Sequence, residues 1–261
     1  MKVRILDLGV IDSDTNALVA LQVRASLNNQ SPTLKFEPFP VWAVLIETQE
    51  AKILLDTGIA PDYKQYQAAA AQENVPYRHT PEQTIEHQLE LCGVKPEEID
   101  YVVMSHLHWD HAGNIGLFKN AKVIVQRDEM IFALLTTHTV NPFGTYLRRD
   151  CDVDANWMLI EGDFQLTKDV KILRAPGHAE GLQCLQLTTD DGTMLLTSDA
   201  CYTSKNWGPP ARPAGALHDS KAYFQSIEKL RKIAHETNAT VIYGHDIEQY
   251  NTLKKAPERL A

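Results

Sequence analysis

The stretch 105–111, "SHLHWDH", places three of the chain's ten histidines and an aspartate within six positions. In an extended segment, residues two apart project to the same side. His106 and His108 can therefore hold one cation. Asp110 and His111, at the turn that follows, can aim at a second point close by. Imidazole and carboxylate donors suit zinc and other borderline metals. Three further donors stand just beyond apolar runs: His178 in "APGH", Asp199 in "LLTSD" and His245 in "VIYGH". Each alone reads as a loop or capping residue. With the cluster they make seven donors at one kind of position, the end of a strand. Asp199 is the natural bridge, because one carboxylate can hold two cations about 3.5–4 Å apart. Such a pair lowers the pKa of a shared water far enough to give hydroxide near neutral pH.

The elements that must carry these residues are legible as short apolar, β-branched runs at 41–48, 52–58, 101–105, 122–126, 170–176, 182–189, 193–199 and 240–246. Helices are expected between them. At 80–93, Thr80 caps, Pro81 takes the first helical position, Gln83 completes a capping box and Gly93 ends the helix. Ile85, Leu89 and Cys92 form its inward stripe. A second helix covers 127–135, and a third, 219–238, turns Tyr223, Ile227, Leu230 and Ala234 to one side. The stretch 59–80 has no firm pattern, and a connection that long reads as a lid or binding loop. It and 136–146 are candidate walls for an apolar pocket. Asp56 in "LLDTG" suits two roles equally: holding the other ring nitrogen of a ligand histidine, or capping a local turn. His79, His87, His138, His218 and His235 read as surface residues.

With 261 residues and no linker or repeat, a single domain over 1–261 is expected. The formal charge of −9 argues against nucleic acid as a partner. No run approaches a membrane span and no signal-peptide h-region precedes Asp7. The four cysteines form no C-x-x-C pair. A cytoplasmic protein with neither nucleic acid nor membrane as partner is the expectation.

The pattern H-x-H-x-D-H with distant His, Asp and His resembles the metallo-β-lactamase superfamily. Within it, the chain is similar to the N-acyl-homoserine lactonases, the quorum-quenching branch. The likeness runs from "PVWAVLIETQEAKILLDTG" through "SHLHWDHAGN", "VIVQRDE", "IEGDF", "APGHAEG" and "SDACY" to "GHDIEQ". It implies an αβ/βα sandwich: two packed mixed β-sheets with helices outside and the site at one edge. It implies two Zn2+ per chain, or another divalent transition metal. One is assigned to His106, His108 and His178, the other to Asp110, His111 and His245, with Asp199 bridging. It also places a catalytic tyrosine three residues past the bridge, at Tyr202. The sequence departs from relatives that read G-H-S-x-G-H, because Leu182 stands where they carry a second histidine.

The reaction implied is hydrolytic opening of a lactone ring, with Tyr202 and a metal stabilising charge on the carbonyl oxygen and Asp110 shuttling a proton. The chain carries no G-x-S-x-G context for a serine nucleophile. Alternatives are hydrolysis of another small ester (a different lactone, a phosphotriester or a thioester) and a non-catalytic metal-binding protein. A homodimer is compatible with the sequence.

Overall fold

The strands form two sheets with a shared interior, and successive side chains point to opposite faces that are both covered. The structure is a computed structural model that describes residues 1–139 and 144–261. The first sheet contains β1 (Lys2–Asp14), β2 (Phe36–Glu47), β3 (Lys52–Leu55), β4 (Tyr77–Arg78), β5 (Tyr101–Val103), β6 (Lys122–Gln126) and β7 (Asn156–Ile160), in the order β4-β1-β2-β3-β5-β6-β7. Its first half is antiparallel; β3, β5, β6 and β7 run parallel. The second sheet contains β8 (Phe164–Thr167), β9 (Val170–Arg174), β10 (Gln183–Thr189), β11 (Gly192–Leu196) and β12 (Thr240–Ile242), in the order β12-β11-β10-β9-β8. Only its β11–β12 pair is parallel.

On the first sheet Val44, Ile46, Ile53, Leu55, Val103 and Ile124 face inward. They meet Val170, Ile172, Leu185, Leu187, Met194 and Leu196 of the second. The intervening residues point outward and are also covered. Leu45, Leu54, Val102 and Val123 pack under α1 (Ile85–Leu91) and α3 (Arg127–His138), where Leu89 and Met130 join the same cluster. Between these helices, α2 (Trp109–Ala112) is the single turn that carries the aspartate and last histidine of the opening motif. Leu173, Cys184 and Leu195 pack under α4 (Ser220–Thr237) through Leu230 and Ala234. Strands buried on both faces explain why the runs read as continuously apolar. Each fully buried aliphatic side chain contributes about 1.5–3 kcal/mol, so both helix layers matter as much as the interior. The order helix, sheet, sheet, helix is the αβ/βα sandwich.

The long helix follows its sequence closely. The Asp219 side chain accepts from Ala222 N at 3.0 Å, and Asn238 closes the end in the left-handed region at φ 50°. Three expectations need correction. The helix expected over 80–93 is two pieces: a 3-10 turn at Pro81–Gln83 and α1 from Ile85, because Thr84 is extended and caps α1 through His87 N. β1, which escaped the strand pattern, pairs with β2 over most of its length despite a register shift between Asp7 and Val10. The stretch 59–80 is no free lid. Tyr63 stacks on Trp109 with ring centres 5.4 Å apart, the polar helix Ala69–Asn74 follows, and β4 adds to the sheet beside β1. No helix among the described residues is long and apolar enough to cross a membrane.

Candidate metal centre

All the donors expected from sequence arrive at one edge, just past the C-terminal ends of strands. His106 and His108 follow β5, with Asp110 and His111 in α2. His178 follows β9, Asp199 follows β11 and His245 follows β12. β3 ends on Asp56. Sharp turns make these exits possible. Asp56 and Ser198 adopt positive φ, 61° and 44°, an uncommon conformation that concentrates at functional sites. Gly244 must lack a side chain, since a Cβ there would lie 2.6 Å from Ser198 O. Gly177 combines φ +139° with contact against the Tyr223 backbone.

The donors form two groups. In one, His106, His108 and His178 converge, and in the other Asp110, His111, Asp199 and His245; within each group the donor atoms lie within 4.8 Å of one another. Asp199 faces both. Its Oδ2 lies 3.3 Å from His178 Nε2 and 3.7 Å from His106 Nε2. Its Oδ1 lies 3.1 Å from His245 Nε2 and 3.4 Å from His111 Nε2. Asp110 Oδ2 closes the second group at 3.4 Å from His111 Nε2 and 3.8 Å from His245 Nε2. His178 Nε2 and His108 Nδ1 stand 3.0 Å apart.

This arrangement fits two divalent cations. His106 Nε2, His111 Nε2 and Asp199 Oδ1 are buried and make no hydrogen bond within the protein. Leaving such an atom unmatched costs about 1–3 kcal/mol, which a cation at the centre of each group would offset. The other ring nitrogens are engaged outward. His111 Nδ1 meets Asp56 Oδ2 at 2.8 Å, His106 Nδ1 meets Ser105 Oγ at 3.0 Å, His178 Nδ1 meets Ala216 O at 3.0 Å and His245 Nδ1 meets Pro40 O at 2.9 Å. Such partners turn each Nε2 lone pair toward a metal. Of the two roles open to Asp56, holding a ligand histidine is the one observed; it also receives Ser105 N and Ser105 Oγ at 2.7 and 2.8 Å.

The electrostatics separate the groups. Burial drives His106 well below the ordinary imidazole range, with His111 and His108 adding to it, and brings His108 down to about 3. These rings are neutral and free to donate lone pairs. In the second group burial also opposes charge on His111, but Asp110, Asp199 and Asp56 together override it and hold that ring well above its usual value. The second group is thus a centre that attracts positive charge.

Tyr202 packs between the groups, its ring centre 5.2 Å from that of His178 and 5.1 Å from that of His245. Its hydroxyl lies 3.2 Å from His178 Nδ1. Burial, reinforced by Asp199 and Asp110, keeps it a protonated phenol.

A buried carboxylate that sequence reasoning passed over is Glu129, on α3. Oε1 accepts from Leu107 N at 2.9 Å and from the Tyr146 hydroxyl at 3.0 Å, and Oε2 accepts from Gly181 N at 2.9 Å. Its only trace in the sequence is an acid in the first turn of a helix, which reads as a solvated cap.

Comparison with known proteins agrees with this geometry. The metallo-beta-lactamase superfamily pattern matches residues 36–245. An N-acyl homoserine lactonase of Agrobacterium fabrum is 34% identical over 98% of each chain. The chain belongs to the metallo-β-lactamase superfamily, in its N-acyl homoserine lactonase family. Among solved structures, a B. thuringiensis lactonase variant with N-decanoyl-L-homoserine at its active site superposes with TM-score 0.86. It is 31% identical, with 99% of this chain and 98% of that one covered. An N-acyl homoserine lactone hydrolase with N-hexanoyl-L-homoserine at its catalytic metal centre matches with TM-score 0.86 and 30% identity, over 99% and 98% of the two chains.

In this member of the superfamily a cleft of about 790 Å³ opens beside the first donor group, with His108 and His178 in its wall. Phe132, Leu135 and Thr136 of α3 form one side, Tyr146 another, and Ala17 and Leu217 face them. The expected wall at 136–146 is therefore found in part: Thr136, Thr139, Thr145 and Tyr146 line the cleft, and residues 140–143 lie outside the described residues. The expected contribution from 59–80 is not found among the described residues lining it. His218 is exposed, as the sequence leads one to expect. It stands in the cleft wall, 2.7 Å from Glu180 and with its ring centre 4.5 Å from that of Phe132. Leu182, at the point of departure from relatives, is fully buried under α4.

Proposed function

We propose that this chain is a dinuclear metallohydrolase that opens the ring of N-acyl homoserine lactones. The observation that carries the reading is Asp199, whose two oxygens each address a different donor group beside an apolar cleft. Relatives named as lactonases, and product-bound neighbours of the same fold, support it. His106, His108 and His178 hold one cation, Asp110, His111 and His245 the other, and Asp199 joins them; zinc suits the donors best. Two such cations would polarise the ester carbonyl and acidify a shared water.

The chain's own groups do the rest. Asp110, at the rim of the second group, accepts the proton of the attacking water and returns it to the ring oxygen as that bond breaks. Tyr202 keeps its phenolic proton, and His178 Nδ1, whose N–H goes to Ala216 O, has no lone pair to accept it, so the phenol hydrogen is available to a carbonyl oxygen acquiring charge. Phe132, Leu135 and Leu217 take the acyl chain out of water. In this reading residues 1–261 form one domain acting on a small molecule in the cytoplasm, with neither nucleic acid nor membrane as partner. A homodimer is compatible with it, and light scattering decides the oligomeric state. Proton release from N-hexanoyl and N-decanoyl homoserine lactone tests the reading: it should stop after chelation and return with zinc. Turnover of a phosphotriester or thioester without lactone turnover overturns it.

A further inference from the structure

Each donor group is braced by buried groups; Asp56 reaches both, His111 directly and His106 through Ser105, and the remaining braces differ. His111 is held by Asp56 and by Thr57, whose N and Oγ1 both donate to His111 O, at 2.8 and 2.9 Å. His245 is held by Pro40 O and, through its own N, by Tyr202 O. None of these contacts involves Glu129. The first group rests on two loops that are remote in sequence. One carries His106 and His108 on either side of Leu107. The other runs from His178 to Gly181. Glu129, fully buried, accepts Leu107 N with one oxygen and Gly181 N with the other. The oxygen that takes Leu107 also takes the Tyr146 hydroxyl, and the Tyr146 ring lies edge-on to His108 at 4.6 Å.

We infer that Glu129 is a positioning residue dedicated to the first cation site: it ties the two loops that carry His106, His108 and His178, and leaves the second site to Asp56, Thr57 and Pro40. A carboxylate suits this place because it has acceptors only and faces three donors. Glu129→Gln replaces one oxygen by a group that donates, so one of the two loop N–H groups loses its acceptor. The inference rests on the two-cation reading of the site.

The test is titration of the metal-free wild-type protein and of Glu129→Gln with Co2+, following the visible absorption of each site and the heat released. Wild type should take up two cations per chain. The Glu129→Gln variant should keep one affinity unchanged and lose roughly 10–100-fold in the other, the usual effect of removing a group that holds a ligand in place. Equal weakening of both sites, or of neither, overturns the dedicated role while the two-cation reading stands. A wild-type stoichiometry below two overturns both. If Glu129→Gln does not fold, Tyr146→Phe removes only one of the three hydrogen bonds. It should weaken the same single site by a smaller factor, and a change at both sites or at neither overturns the inference. A merely structural role would lower the melting temperature of the metal-free protein and move both affinities together.

Discussion

Tyr202 and Asp56 touch the same histidine cluster from opposite sides, yet their loss should read out differently. In the proposed mechanism Tyr202 offers its phenolic proton to the substrate, and it is not among the donors. Tyr202→Phe should lower kcat on a lactone by roughly ten- to a thousandfold, about 1.4–4 kcal/mol, as for loss of one donor to a developing oxyanion. Metal content should stay at the wild-type level. Wild-type kcat in the metal-replete variant rules the phenol out as a catalytic donor. Asp56 never reaches the cation position. It holds the His111 ring and, through Ser105, the His106 ring. Asp56→Asn should therefore lower cation affinity by roughly 10–100-fold and leave kcat of the fully loaded enzyme within a few-fold. An unchanged affinity would show that the ring orientation is set elsewhere.

Helix α3 serves two purposes. Its first turn carries Glu129 into the interior, while Phe132, Leu135 and Thr136 present a face to the cleft. Spacing of three and four residues puts these side chains on one face. If that face receives the acyl chain, Phe132→Ala should raise KM for a ten-carbon acyl lactone by about tenfold, the worth of one to two buried methylenes at about 0.8 kcal/mol each. KM for a four-carbon substrate should barely move, and kcat should stay constant for both. Such a split marks binding that ground and transition states share. Parallel losses on both substrates remove the acyl-wall assignment. The helix Ala69–Asn74 has no buried residue and lies outside the described cleft lining. Exchanging its side chains should leave the specificity profile unchanged.

At the scale of the molecule, folding gathers buried acids and histidines whose charges are not matched by the protein alone. Cations that bind only the folded state add about 2.7 kcal/mol at a hundredfold excess over Kd. Chelation should thus lower Tm by roughly 5–10 °C for each cation removed from a chain of this size, as calorimetry can check. No shift would mean that the donor groups are satisfied without metal. Asp150, outside the donor groups, adds a pH effect. It is 2% exposed, Oδ2 has no hydrogen-bond partner, and burial lifts the carboxyl to about 7 against the pull of Arg149. Its folded value lies above the unfolded one, so the folded chain holds this proton more tightly. Below pH 4 both states are protonated and the group is neutral in effect. Stability is lost as pH rises toward 7, by an amount on the order of a few kcal/mol. Asp150→Asn should be more stable than wild type at pH 8, with the gap closing near pH 4. A gap of equal size at both values would show that packing, not charge, sets the difference.

The donors were legible because metal chemistry restricts residue types. Imidazole and carboxylate at strand ends, two of them at H-x-H spacing, have few other uses, and the continuous apolar runs of strands such as β2 and β3 placed the ends. The stripe Tyr223, Ile227, Leu230, Ala234 was legible for the same local reason. What the tertiary structure alone decided is which distant segments meet. Pro40 O holds His245 across 205 positions, Glu129 reaches Gly181 across 52, and Ala17 faces Leu217 over the cleft. β1 alternates weakly around Gly9, and only its long ladder with β2 shows it to be a strand. Glu129 in the first turn of a helix looks like a solvated residue, because a sequence records a side chain's own chemistry and its near neighbours. Whether water or a loop N–H stands opposite is settled by packing, where burial without a partner costs more than the turn can return.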